Sequence, residues 1–318
     1  MNNLEGIAYE DVSAPGGLSY KEWRTGLQPR YAIVWRDIIL GYVALFLLLA
    51  LSVWLQIHYP GWVILNIILI ALATGYFIAY LSLFIHEAGH FNIHPDKKIN
   101  DRLAAIFLCT WVGLDIKTYR KIHWMHHVHL GTPEDTEISY HNAITPSFIL
   151  ETITGLHLLK VIRKKSDPSL LTATMKKHSR NMLLAGLFLN ALIVAGAIYS
   201  GFWHIAVIWC AAMFIFFPFF ATMRQILEHR SELAEAKTDY TRSPHGKLSR
   251  LFVSGLFSSS FGAAGFNKHM IHHWDPQVSY TRLKDIEQFL LQCDAVKNIV
   301  RSSQTSYLVS FKKLISAK

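Results

Sequence analysis

Nine of the seventeen histidines in this chain fall into four tight groups: His86 and His90; His123, His126 and His127; His229; and His269, His272 and His273. Imidazole is the commonest metal ligand, and i, i+3 or i, i+4 spacing places the rings of each multi-histidine group on one helix face. One ion takes about four to six donors, so nine histidines imply two metals side by side. Two of the groups share a single form, HxxHH: His123-Trp124-Met125-His126-His127 and His269-Met270-Ile271-His272-His273. In a helix the first, fourth and fifth residues of that form converge on a common point. His94, His129 and His141 lie close by but outside the repeated form, which suits them to surface or supporting roles. His58, His157, His178, His204 and His245 have no clustered partner and read as structural or interfacial.

Five carboxylates adjoin the boxes: Glu87, Asp135, Glu137, Glu228 and Asp275. A ligating imidazole usually donates its second N–H to a carboxylate or carbonyl, which fixes the ring and raises its basicity, so these five are candidates for that support. His86-Glu87-Ala88-Gly89-His90 also spells HExxH, in which two histidines hold zinc and the glutamate activates water. A zinc protease needs only one further ligand and leaves six clustered histidines without a purpose.

What must position these residues is visible in the charge pattern. From Ile38 to Ile85 there are 48 residues without Asp, Glu, Lys or Arg, and from Asn181 to Met223 another 43. A helix crosses the ~30 Å hydrocarbon core in about 20 residues, so each stretch fits two spans. His58-Tyr59-Pro60-Gly61 and Tyr199-Ser200-Gly201 supply the turns. The expectation is an all-α integral-membrane chain with four transmembrane helices in two hairpins, near 38–57, 62–85, 181–199 and 203–223. A helical cytoplasmic cap, from 86–180 and 224–318, holds the histidine-rich di-metal site. Residues 1–318 then form a single domain, with 52% hydrophobic and 17% charged residues.

With those spans all 31 Lys and Arg fall on one side: 4 before Ile38, 13 between His86 and Arg180, and 14 from Arg224 onward. The positive-inside rule places both termini and all nine histidines in the cytoplasm. The net charge of +9 belongs with anionic headgroups, and nucleic acid is not an expected partner. Leu251–Phe266 is free of charge but carries four serines and three glycines, and reads as an interfacial or re-entrant piece. Leu103–Leu114 is too short to cross and is expected along the membrane surface. The first residues show no cleaved secretory signal, and Cys109, Cys210 and Cys293 are too scattered for a disulfide framework.

HxxxH, HxxHH and HxxHH, in that order around two pairs of spans, resemble the integral-membrane fatty acid desaturase and hydroxylase superfamily. The stretch His123 to Glu137, HWMHHVHLGTPEDTE, is similar to bacterial acyl desaturases, and Glu228-His229 to the extra histidine of alkane hydroxylases and desaturases. The resemblance runs from about Arg36 to about Arg282. It implies two non-haem iron ions held by the nine histidines, O2 as co-substrate, and removal of hydrogen from an unactivated C–H bond of a lipid or acyl chain. A desaturase leaves a C=C bond. The alternative is a hydroxylase of a fatty acid, alkane or isoprenoid lipid, and a membrane zinc protease using HEAGH is a remote third reading. Imidazole suits iron. No HPGG segment of a fused cytochrome b5 domain is present, so electrons are expected from a separate protein, ferredoxin-like or similar, with its reductase. A basic cap suits an acidic carrier. The resemblance points to the bacterial inner membrane.

Overall fold

The computed structural model describes residues 3–157, 160 and 171–316. Four helices are long and apolar enough to cross a membrane: Tyr31–His58, Pro60–Gly89, Ala173–Tyr199 and Trp203–His229, the first to fourth spans. In hydrocarbon every backbone N–H and C=O must be satisfied within the segment, and a continuous apolar run does so as a helix. Tyr59 separates the first two spans, and a tight turn through Gly201, at φ +79°, separates the last two. This is an integral membrane protein.

Each helix is longer than the span read for it from the charge pattern. At 1.5 Å per residue, 27 residues reach about 40 Å, beyond the ~30 Å hydrocarbon layer. Charged residues end the apolar run without ending the helix. The second span therefore continues past Ile85 to Gly89, and the fourth past Met223 to His229. The third begins at Ala173, where the Thr172 hydroxyl accepts the Met175 N–H at 3.2 Å. Residues assigned to the cap on charge alone, at 86–89, 173–180 and 224–229, are thus rigid extensions of the spans.

The spans differ in burial as their positions require. From Leu83 to Gly89 every residue of the second span is buried, whereas Gly186 is the sole buried residue in the third. A Cβ on Gly186 would stand 2.5 Å from the Thr110 carbonyl oxygen, so only glycine lets the third span seat against the Thr110–Gly113 turn. Within the fourth span a π-turn at Ala212–Phe216 precedes Pro218. The ring cannot donate a backbone bond, and the wider turn absorbs the break.

Between the hairpins lies a helix at Lys97–Ala104, started by the Asp96 carboxylate on the N–H groups of Lys98 and Ile99 (2.8 and 2.9 Å). It passes through irregular turns to Val112, with Leu108 and Cys109 buried and Ile106 and Phe107 exposed. That two-faced, non-crossing segment covers the stretch expected at the membrane surface. Asp115 then caps the Ile116–His129 helix through the Thr118 N–H (2.9 Å). Leu251–Phe266 does not span. It opens with a two-residue strand, Leu251–Phe252, parallel to Gln304–Thr305, continues as a short helix, Leu256–Phe261, and turns through Ala264 and Gly265 at positive φ. The His269–Trp274 helix follows, and then Tyr280–Leu290. Leu4, Val12 and Tyr20 from the N-terminal segment pack with Met270, Ile271, Ile286, Leu290 and Val300 in one apolar core.

Candidate metal centre

All nine histidines come together where the second and fourth spans leave the bilayer. They form two adjoining groups: His86, His90, His123, His127 and His272, and His126, His229, His269 and His273. In each group one nitrogen from every ring lies within 4.8 Å of all the others. In the five-histidine group the Nε2 atoms run His86 to His272 at 2.9 Å, His272 to His127 at 3.2 Å, His127 to His123 at 3.0 Å and His123 to His90 at 3.1 Å. In the four-histidine group His229 meets His269 at 2.9 Å and His269 meets His273 at 3.2 Å. The groups touch through His127 and His273, ring centroids 4.5 Å apart.

The two HxxHH boxes are divided between the groups. His123 and His127 join the first and His126 the second; His272 joins the first and His269 and His273 the second. Each box helix therefore bridges both sites, which fixes their separation.

Several outer nitrogens determine which face of a ring is bare. His229 donates its Nδ1–H to the Leu248 carbonyl (2.8 Å), which leaves Nε2 as a lone-pair acceptor. His126 donates Nδ1–H to Asp135 (2.8 Å), and His123 donates to Glu137 (3.1 Å). Bare nitrogens about 3 Å apart repel unless a cation lies between them. That spacing is also the edge of a coordination polyhedron with metal–nitrogen bonds of about 2.1 Å. His126 Nε2 is buried without a hydrogen-bond partner, as a vacant ligand atom must be. The residues fit a pair of first-row transition metals.

Electrostatics point the same way. Burial, with the charges of neighbouring rings, pushes His90, His127, His269, His272 and His273 well below the ordinary histidine range, so they are neutral and able to ligate. His126 is the exception. Burial works against its charged form, but Glu137 and Asp135 outweigh it and raise the ring to about 9. These two carboxylates supply negative charge beside the centre.

The five candidate carboxylates have different fates. Asp135 and Glu137 orient rings as described. Glu87 accepts from Ser279 Oγ and the Tyr280 N–H, both at 3.2 Å, and its other oxygen is 3.8 Å from His86 Nδ1. Glu228 pairs with Arg224 (2.8 Å), with His269 3.9 Å away. Asp275 is bound by Arg24 through two bonds of 2.6 Å and by Tyr20 at 2.8 Å, so it ties the N-terminal segment to the third box and orients no ring. The chain leaves the helix at Trp274, and this buried carboxylate meets the N-terminal segment instead of the rings.

Two supporting residues escape a reading by boxes. Gln225 donates to Glu137 (2.7 Å), and Tyr140 donates to Asp135 while accepting the Gly131 N–H (2.9 Å). Gln225 stands four residues before His229, on the same helix face, and that spacing was the available signal. Tyr140 carried none. Gly131, at φ +76°, packs where a Cβ would lie 2.5 Å from Gly246 O, and its carbonyl accepts from the N–H groups of His245 and Gly246. This pins the loop that carries Asp135 and Glu137. The other eight histidines join neither group: His94, for example, accepts the Asp96 N–H, and His178 meets Asp115 at 3.2 Å.

The fatty acid desaturase family model matches residues 60–301, which contain all four histidine groups and three of the four spans. No individual curated protein matches the chain. With well over half the sequence covered, and the membrane helices and paired histidine groups already described, the chain belongs to the fatty acid desaturase family.

Proposed function

We propose that this desaturase-like oxidoreductase is a membrane-bound, non-haem di-iron enzyme that uses O2 to introduce a double bond into a fatty acyl chain. The observation that carries the reading is the five-plus-four division of nine clustered imidazoles beside the ends of two spans. Two irons held there supply O2 activation and removal of hydrogen from a saturated carbon, chemistry that protein side chains alone do not offer. The protein's part is to hold and orient. His86, His90, His123, His127 and His272 would hold one ion, and His126, His229, His269 and His273 the other. Asp135 and Glu137 keep two of these rings turned inward.

Between the second and fourth spans a narrow cleft is lined by Tyr76, Leu83, Phe220, Phe261 and Arg224. Leu83 lies one helical turn before His86, and Arg224 holds Glu228 beside His229. The cleft's free volume is about 10 Å³, so an acyl chain entering sideways from the bilayer would have to part these walls to reach the centre. Glu87 is held by Ser279 and Tyr280, which supports a structural tie for it and not the water-activating role of a zinc protease.

In this reading both termini and the centre face the cytoplasm of a bacterial inner membrane, residues 1–318 work as one domain, and a separate acidic, ferredoxin-like carrier with its reductase delivers two electrons to the basic cap. Core packing of Leu4, Val12 and Tyr20 against the box-three region supports the single domain. The test is a fatty acid profile, by gas chromatography with double-bond location, of cells with and without the gene. A new double bond is the expected result. A new hydroxyl group would reassign the enzyme as a hydroxylase, and an unchanged profile in cells with an iron-loaded protein and a matched reductant would remove the reading.

A further inference from the structure

The C-terminal helix Tyr307–Ser316 buries Tyr307, Ser310 and Leu314 and leaves Leu308, Val309 and Ile315 exposed. Val253, Leu256 and Phe257 are exposed beside the short helix Leu256–Phe261, Leu256 to 94%. These two groups, some fifty residues apart in sequence, belong to one unit. Leu251 and Phe252 pair with Gln304 and Thr305, and the Val253 N–H donates to Thr305 O (2.8 Å). The Tyr307 ring stacks on Phe252, with centroids 3.7 Å apart, and meets Phe261 edge-on at 4.9 Å.

The unit rests on the spans. Phe252, Tyr307 and Leu314 share a core with Met223 and Phe219 of the fourth span, and Ser260 is hydrogen-bonded to Tyr76 of the second. Six large apolar side chains are thus exposed on a unit that packs directly against the second and fourth membrane spans. Monomeric proteins in water rarely leave such a contiguous apolar patch uncovered. Ten residues are too few to cross a bilayer, and Lys312 shares the exposed face with Leu308, Val309 and Ile315, so its long stem must carry the charge up to headgroups while its methylenes lie among them. Lys313 meets Glu232 at 3.1 Å.

We propose that Leu256–Phe261 and Tyr307–Ser316 form one platform embedded in the acyl region of the leaflet nearest the metal centre, with Lys312 among anionic headgroups. The occupant of this surface is lipid, and a second copy of the chain or a soluble partner is the competing outcome. The inference is independent of the reaction catalysed. Single cysteines at Leu256 and Ile315, in a Cys210→Ser background, are labelled with bimane in the full chain reconstituted in mixed phosphatidylcholine and phosphatidylglycerol vesicles. The unsubstituted background serves as blank. Quenching by lipids brominated on their acyl chains is then compared with Leu184→Cys in the third span and Leu233→Cys in an exposed loop of the cap. Both sites are expected to lose at least half as much fluorescence as Leu184→Cys. A loss no greater than that at Leu233→Cys, at either site, overturns the platform, including the case in which a second copy covers it. Val309→Cys replaces Ile315→Cys if the latter misfolds, and the same outcomes apply.

Discussion

Asp135→Asn keeps the shape of a side chain on which three donors converge and removes its charge. The carboxylate accepts from His126 Nδ1 (2.8 Å), the Glu137 N–H (2.8 Å) and the Tyr140 hydroxyl. Loss of such an outer carboxylate typically costs 10- to 100-fold in metal affinity, about 1.4–2.8 kcal/mol. Proton competition shapes how that loss varies with pH. In the metal-free parent chain His126 is raised to about 9, so below that pH a metal must displace its proton, and affinity of the four-histidine group rises about tenfold per unit up to about pH 9. Without Asp135 a principal cause of the raised value is gone, and the slope ends nearer the ordinary histidine value of about 6.5. The variant's deficit is therefore full at pH 9 and smaller at pH 7. Anaerobic ferrous-ion competition against a chelator, with metal counted per chain at both pH values, measures this directly. Asp275→Asn is the control, because that carboxylate serves Arg24 and Tyr20. Equal deficits at both pH values, or an equal loss of metal from Asp275→Asn, would refute the reasoning.

Acid should release metal and weaken the apo fold together. His90, His127, His269, His272 and His273 are depressed in the folded state, so below about pH 6.5 the unfolded chain binds more protons and stability falls as pH drops. Metal content and melting temperature across pH 5–8 check the sign, and a flat profile counts against buried neutral rings. Gly186→Ala forces a Cβ to within 2.5 Å of Thr110 O and should destabilise the detergent-solubilised protein by about 1–3 kcal/mol, read as a lower melting temperature. An unchanged melt would mean the third span does not seat there. Ser260→Trp fills the cleft beside Tyr76 and Phe261 and should abolish acyl product while both metals stay bound. Wild-type product levels would remove the cleft as the route.

Much of the architecture was legible in the sequence because its signals are local. An apolar, charge-free run of about 20 residues or more prescribes a spanning helix whatever its neighbours do, and i, i+3 and i, i+4 spacing gathers rings on one face without reference to the rest of the chain. Helix ends were less legible. Arg180, Glu87 and Arg224 end the apolar runs and leave the hydrogen-bonded helix intact, so the helices overrun the spans read from charge.

Tertiary structure alone decided how nine histidines divide into five and four. The closest contact in the first group joins His86 to His272, 186 residues apart, and neighbours such as His126 and His127 serve different groups. It also decided that Asp135 and Glu137 orient rings while Asp275 holds Arg24, and that Gln225 and Tyr140 stand behind them. Composition and period specify which face of a helix a side chain occupies. Which other face it meets is set by packing among segments far apart in the chain, and a hydrogen bond exists only once that packing brings donor and acceptor within about 3 Å.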